Sequence, residues 1–142
     1  MTLHPDKTRV VNATQRGGFD FLGYHFEQGH HWPRAKSVRN LKDALRAKTR
    51  RNRGQSLAVI IGDVNRSLRG WFDYFQHSPR HAFGPLDAWV RMRLRSILRR
   101  QQHRDGRGRG SDHRRWPNAF FAEHGLFCLT MARRLAGQSV QR

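Results

Sequence analysis

The stretch from Leu57 to Phe75 can bury its apolar residues only as an α-helix. Leu57, Ile60, Ile61, Val64, Leu68, Trp71, Phe72 and Phe75 recur at i, i+3, i+4, i+7 spacing. On a wheel of about 100° per residue they fall within an arc of roughly 120°. Ser56 stands where an N-cap should. Arg66, Arg69 and Asp73 point away from the stripe, and Gly62 and Gly70 also lie off it. A helical glycine costs about 1 kcal/mol relative to alanine, so the pair predicts close backbone approach by a partner. A helix with so wide an apolar face needs other elements to cover it.

The flanking segments supply them. Ser37 can cap a helix to about Asn52, with Leu41 and Leu45 inward and Lys42, Arg46, Arg50, Arg51 and Arg53 among its cations. A third helix is expected from Leu86 to His103, with Leu86, Trp89, Val90, Leu94, Ile97 and Leu98 on its apolar side. Arg91, Arg95 and Arg99 recur every four residues opposite, which predicts a solvent-facing cationic ridge, while Arg93 falls inside the apolar arc and must snorkel or pair. The first 36 residues read as strands: Arg9–Asn12, the aromatic run Phe19–Phe26, and a third candidate at Trp32–Lys36 that Pro33 confines to an edge. Residues 105–115 alternate Gly and Arg and read as a basic linker. Beyond them, Ala119–Gly125 is helical or irregular, and Thr130–Arg142 is weakly patterned.

The expected fold is therefore mainly α: a small antiparallel β-hairpin, a three-helix bundle and a short helical tail. The divisions fall at 1–36, 37–104, 105–115 and 116–142.

Charge narrows the partner. The chain has 142 residues, with 28 Lys and Arg against 10 Asp and Glu, for a net +18. Of the cations 24 are Arg, whose planar fork grips phosphate oxygens in pairs and stacks on bases. This points to nucleic acid. The phosphate-tracking candidates are Lys42, Arg46, Arg50, Arg51, Arg66, Arg69, Arg91, Arg95 and Arg99. Trp71 and Trp89 lie on apolar stripes and read as core, whereas Trp32 and Trp116 are freer to stack on bases. No apolar run approaches the roughly 20 residues that span a bilayer, so a cytoplasmic protein without a membrane partner is expected.

Chemistry of its own is harder to find. The single cysteine, Cys128, rules out paired-cysteine zinc sites, and the histidines have no acidic partner at zinc-ligand spacing. Glu27 and Glu123 are the only glutamates, and no two aspartates are adjacent or one residue apart. No metal site is expected.

Four segments, in order, resemble the maturase-type reverse transcriptases encoded by group II introns. Leu3–Thr8 with Gly18–Phe26 is similar to the end of that family's palm, and Val64–Phe75 to the maturase-specific helix of its thumb, or X domain. Leu86–Arg95 is similar to the helix that follows, and Arg115–Phe127 to the C-terminal segment of bacterial members. The resemblance implies that Lys7 matches a palm lysine and that Phe21, Leu22, Gly23 and Tyr24 match the primer grip. It also implies binding of group II intron RNA in support of splicing. In the complete enzyme, a Mg2+-dependent polymerase, the thumb would also hold a template–primer duplex.

The departures matter as much. The chain has no Tyr-Ala-Asp-Asp strand and none of the cysteine pairs of the family's endonuclease. Lys7 alone cannot support polymerisation, so no catalytic residue and no cofactor is expected in this chain. The reading is a C-terminal portion cut at a palm boundary. Its rivals are an inactive remnant, one piece of a split reverse transcriptase needing a separate N-terminal piece, and a basic DNA-binding module.

Overall fold

The computed structural model describes residues 17–51, 54–102 and 110–140. Lys7, the candidate strand Arg9–Asn12, Arg53 and residues 103–109 of the Gly/Arg stretch lie outside them. The chain runs through three strands, β1 (Phe19–Phe21), β2 (Tyr24–Glu27) and β3 (His30–Pro33), then α1 (Ala35–Lys48), α2 (Leu57–Phe75) and α3 (Gly84–Gln101). Three shorter helices follow: α4 (Gly110–Arg115), α5 (Asn118–Glu123) and α6 (Leu129–Val140).

The sheet is antiparallel in the order β1-β2-β3. Its two-residue turns, Leu22-Gly23 and Gln28-Gly29, have φ of 51° and 85°, and 50° and 79°. Positive φ at both central positions is the turn geometry that matches the twist of a hairpin. Phe19, Phe26 and His31 line one face in register, with Phe19 stacked on Phe26 at 5.2 Å. Pro33 ends β3, an edge strand where its missing N–H costs nothing.

The hairpin turn is clamped onto the end of α2. Tyr24 OH donates to Tyr74 O (2.7 Å), and Tyr74 OH donates back to Leu22 O. Gly23 O accepts from Arg34 N and from Ser37 Oγ, both at 2.9 Å. Gly23 has φ of 85°, which favours glycine, and a Cβ there would crowd Phe75 at 3.2 Å and Ser37 Oγ at 3.3 Å. Ser37 is thus not the cap of α1, which begins two residues earlier behind Arg34.

The helical core is the one expected from the stripes. Leu41 and Leu45 of α1 pack with Ile60, Ile61, Val64, Leu68 and Phe72 of α2 and Leu86, Val90, Leu94, Ile97 and Leu98 of α3. Ser56 Oγ caps α2, accepting from Val59 N at 3.3 Å. Trp71 and Trp89 are half-buried and packed against this core. Among the described residues no partner backbone meets Gly62 or Gly70: a Cβ at either would have no neighbour there within 4 Å.

The chain beyond α3 departs most from the sequence reading. Gly110–Arg115 is helical, and Asp112 within it is buried. Trp116, expected to be free, is buried with Phe121 and Leu129. The weakly patterned end forms α6, and Asp87 of α3 holds its first turn: the carboxylate accepts from Leu129 N (2.9 Å), Thr130 N (2.9 Å) and Thr130 Oγ1 (2.6 Å). Asn65 of α2 does the same for the preceding turn, donating to Gly125 O and accepting from Phe127 N, both at 2.8 Å. Distant polar side chains thus replace the local caps whose absence hid these elements.

Candidate nucleic-acid interface

The expected cationic ridge on α3 does not exist. Helical spacing aligns Arg91, Arg95 and Arg99, but α4 and α5 fold over the last two. Arg95 is 2% exposed. Its Nε donates to Trp116 O (2.9 Å), its Nη2 to Asn118 Oδ1 (3.0 Å), and its guanidinium lies over the Phe121 ring at 5.2 Å. Burial, then the neighbouring Arg91, pulls its pKa below the usual arginine range, while Asp112 opposes them. Arg99 Nη1 pairs with the buried Asp112 at 2.9 Å. Both arginines hold the fold together and leave the candidate surface. Arg91 is half-buried beside them.

The other candidates sort into two neighbourhoods. The first surrounds the C-terminal end of α1. Lys42 Nζ and the guanidinium carbons of Arg46 and Arg93 lie 5.4, 5.4 and 5.6 Å from the centre of the Trp89 ring. The ring's negative face holds these cations together. Arg93 also ends α1: its Nε donates to Thr49 Oγ1 (3.0 Å), and its Nη2 to Thr49 O (3.3 Å) and Arg46 O (3.4 Å). The two carbonyls lie at the C-terminal end of the helix, where a cation also meets the negative end of the helix dipole. α1 therefore stops at Lys48, short of the expected Asn52.

Burial, then repulsion from Arg46 and Arg51, lowers the Arg93 pKa. Arg51 in turn joins Arg50 and Arg100 around a cavity of about 310 Å³ closed by Ile60, Ile97 and Gln101. No carboxylate among the described residues lines it. Among the described residues neither Arg50 nor Arg51 has an acidic partner within 4 Å, whereas Arg46 shares Asp43 (2.8 Å). A run of crowded guanidinium groups thus extends from Trp89 to the cavity, held close by the fold.

The second neighbourhood lies along the middle of α2. Arg66 extends into solvent with Asp63 at 3.5 Å. Arg69 sits over the Phe127 ring at 5.6 Å.

Of the primer-grip-like residues, Phe21 (45% exposed) and Leu22 (60% exposed) stand out at the hairpin tip. Gly23 and Tyr24 are taken up in the clamp on α2. Among the described residues no group of three or more His, Cys, Asp or Glu lies close enough to hold a metal ion. No helix among them is long and apolar enough to cross a membrane.

Arg93, Asp87 and Asn65 are the polar residues the sequence reading undervalued. Arg93 was visible as a cation inside an apolar arc. Asp87 and Asn65 carried no such signal, because their partners lie 42 and 60 residues away.

A basic helical domain with a half-buried tryptophan ringed by cations, and arginines gathered without acids, is the class that fold and site define. Within it, residues 38–116, more than half of the chain, match the family model of the group II intron maturase-specific domain. The chain belongs to that family, which ties it to group II introns and to maturase function in their splicing. No curated protein matches its sequence.

Proposed function

We propose that this chain binds structured group II intron RNA through the arginines at the end of α1 and assists the folding that splicing requires, with no polymerase chemistry of its own. The observation that carries the reading is the pair Arg50 and Arg51, without an acidic partner within 4 Å among the described residues, gathered beside Arg93 and the Trp89 cations, on a segment that matches the maturase-specific family. Like charges brought this close destabilise a fold unless an anion joins them, and a phosphodiester backbone supplies one. Lys42, Arg46 and Arg66 extend the same chemistry along α1 and α2. In a complete reverse transcriptase the domain would also hold the template–primer duplex.

The test is fluorescence anisotropy with intron RNA across a salt series. Each lost phosphate contact should flatten the slope of log affinity against log salt by somewhat under one. Arg50→Gln with Arg51→Gln should therefore lower both affinity and slope, and an unchanged slope would refute the assignment. Duplex DNA at equal salt separates this reading from a DNA-binding module, which would prefer DNA.

A second reading has its own support. Phe21, Leu22 and Tyr74 (52% exposed) form apolar surface at the hairpin tip, where a separate palm-bearing piece of a split reverse transcriptase could seat.

A further inference from the structure

A groove of about 580 Å³ lies away from the α1 cluster, between α2, α3, α5 and α6. That is within the size range of small-molecule sites. Phe121 and Phe127 line its floor, Met131 and Leu135 form one lip, and Arg69 and Arg91 stand at its rim. Met131 is 48% and Leu135 56% exposed.

Its charge selects the occupant. Among the described residues no carboxylate lines the groove, and neither Arg69 nor Arg91 has an acidic partner within 4 Å. Arg95, buried behind the floor, lies over Phe121, and Arg69 lies over Phe127. Apolar walls and aromatic rings under a positive rim accept a flat apolar group flanked by negative charges. An unpaired nucleotide has that form: a base that can be splayed out and stacked, between two phosphates. A second copy of this chain fits poorly, because a two-fold contact would bring the same arginines face to face.

We infer that this groove is a pocket for an unpaired nucleotide, its base against Phe127 and the Met131–Leu135 lip and its phosphates on Arg69 and Arg91. The inference rests on the RNA-binding reading above and adds to it a preference for single-stranded loops or bulges over continuous helix.

Two RNAs of equal length and charge test it on the full chain, at one salt concentration: a stem-loop with 2-aminopurine in the loop, and a fully paired duplex. The wild type should bind the stem-loop more tightly and change the 2-aminopurine fluorescence. Met131→Ser with Leu135→Ser removes apolar lip without altering charge, at positions exposed enough to keep the fold, which circular dichroism checks. This variant should lose about tenfold in stem-loop affinity, the scale of one stacked base, and stay within twofold on the duplex.

Equal wild-type binding of both RNAs, or an unchanged stem-loop affinity in the variant, would overturn the pocket and leave the α1 interface standing. So would loss, in the variant, of binding to an amphipathic Leu/Glu helical peptide with stem-loop affinity intact, which would make the groove a protein-docking site. Failure of the wild type to bind either RNA would overturn both readings together.

Discussion

Arg99 Nη1 lies 2.9 Å from Asp112 Oδ2, and the Asp112 side chain is 1% exposed. The pair ties the end of α3 to α4, across the Gly/Arg stretch between them. Next to it, Arg95 fastens the same face of α3 to Trp116 and Asn118. Two arginines at phosphate-tracking spacing are thereby the bolts of a small domain. Taking the carboxylate away leaves Arg99 desolvated without the charge it faces, the costly direction for a buried pair.

Asp112→Ala should lower unfolding stability by about 2–4 kcal/mol, and Arg95→Ala by a similar amount, through unsatisfied carbonyl groups and a void beside Phe121. Urea unfolding measures both. Arg91→Glu combined with Arg95→Glu, which the helical wheel alone would offer as a harmless surface change, should unfold the domain. A folded double variant would contradict the buried position of Arg95.

Gly62 and Gly70 sit in exposed helix with nothing near a hypothetical Cβ. Gly62→Ala and Gly70→Ala should each stabilise the protein by about 0.5–1 kcal/mol, visible as a rise in Tm. If either glycine serves to admit an RNA backbone, the same substitution will lower RNA affinity while raising Tm, so the two readouts together decide what the glycines are for.

His25 bridges two carboxylates on the polar face of the sheet, with Nδ1 2.7 Å from Asp20 and Nε2 3.2 Å from Glu27. The Asp20 bond first, and the Glu27 bond second, raise its pKa above the ordinary 6.5. A raised value stabilises the fold fully below pH 6.5 and loses that contribution as pH climbs through the folded value. Solvent screens so open a site, so the change in stability is small. NMR titration is the sensitive measurement: Asp20→Asn should move the His25 midpoint down towards 6.5.

Burial, reinforced by the Asp87 carboxylate 3.4 Å away, pushes the Cys128 thiol up from its usual range. Less thiolate means slower alkylation. Iodoacetamide at pH 8 should modify native Cys128 several-fold more slowly than the same cysteine in urea. Equal rates would mean that the turn before α6 opens freely.

Much of this architecture is written locally. The stripes on α1, α2 and α3 and the Ser56 cap are short-range patterns, and they name nearly every core residue of the bundle. The turn at Leu22-Gly23 was not among them: the aromatic run Phe19–Phe26 reads as one strand, and the structure folds it into β1 and β2, because Leu22 takes a positive φ that its side chain does not announce. What escaped was stabilised from a distance. Nothing in Thr130–Val140 announces a helix as clearly as Leu57–Phe75 does, because its cap is Asp87, in another helix.

The cations divide the same way. By itself the sequence determined that α3 has an apolar side and that Arg91, Arg95 and Arg99 stand off it, since helical geometry orders side chains about their own axis. Only the tertiary structure decided which of them meet water. A helix in a bundle can be covered on two sides, and whether the second is covered depends on a segment that returns after an intervening stretch. Here α4 and α5 return over Arg95 and Arg99, so those charges are spent on hydrogen bonds and an ion pair within the protein. Around Trp89 and the end of α1 no such segment returns among the described residues: Arg93 is used on the end of α1 and Arg46 on Asp43, while Arg50 and Arg51 meet no carboxylate within 4 Å.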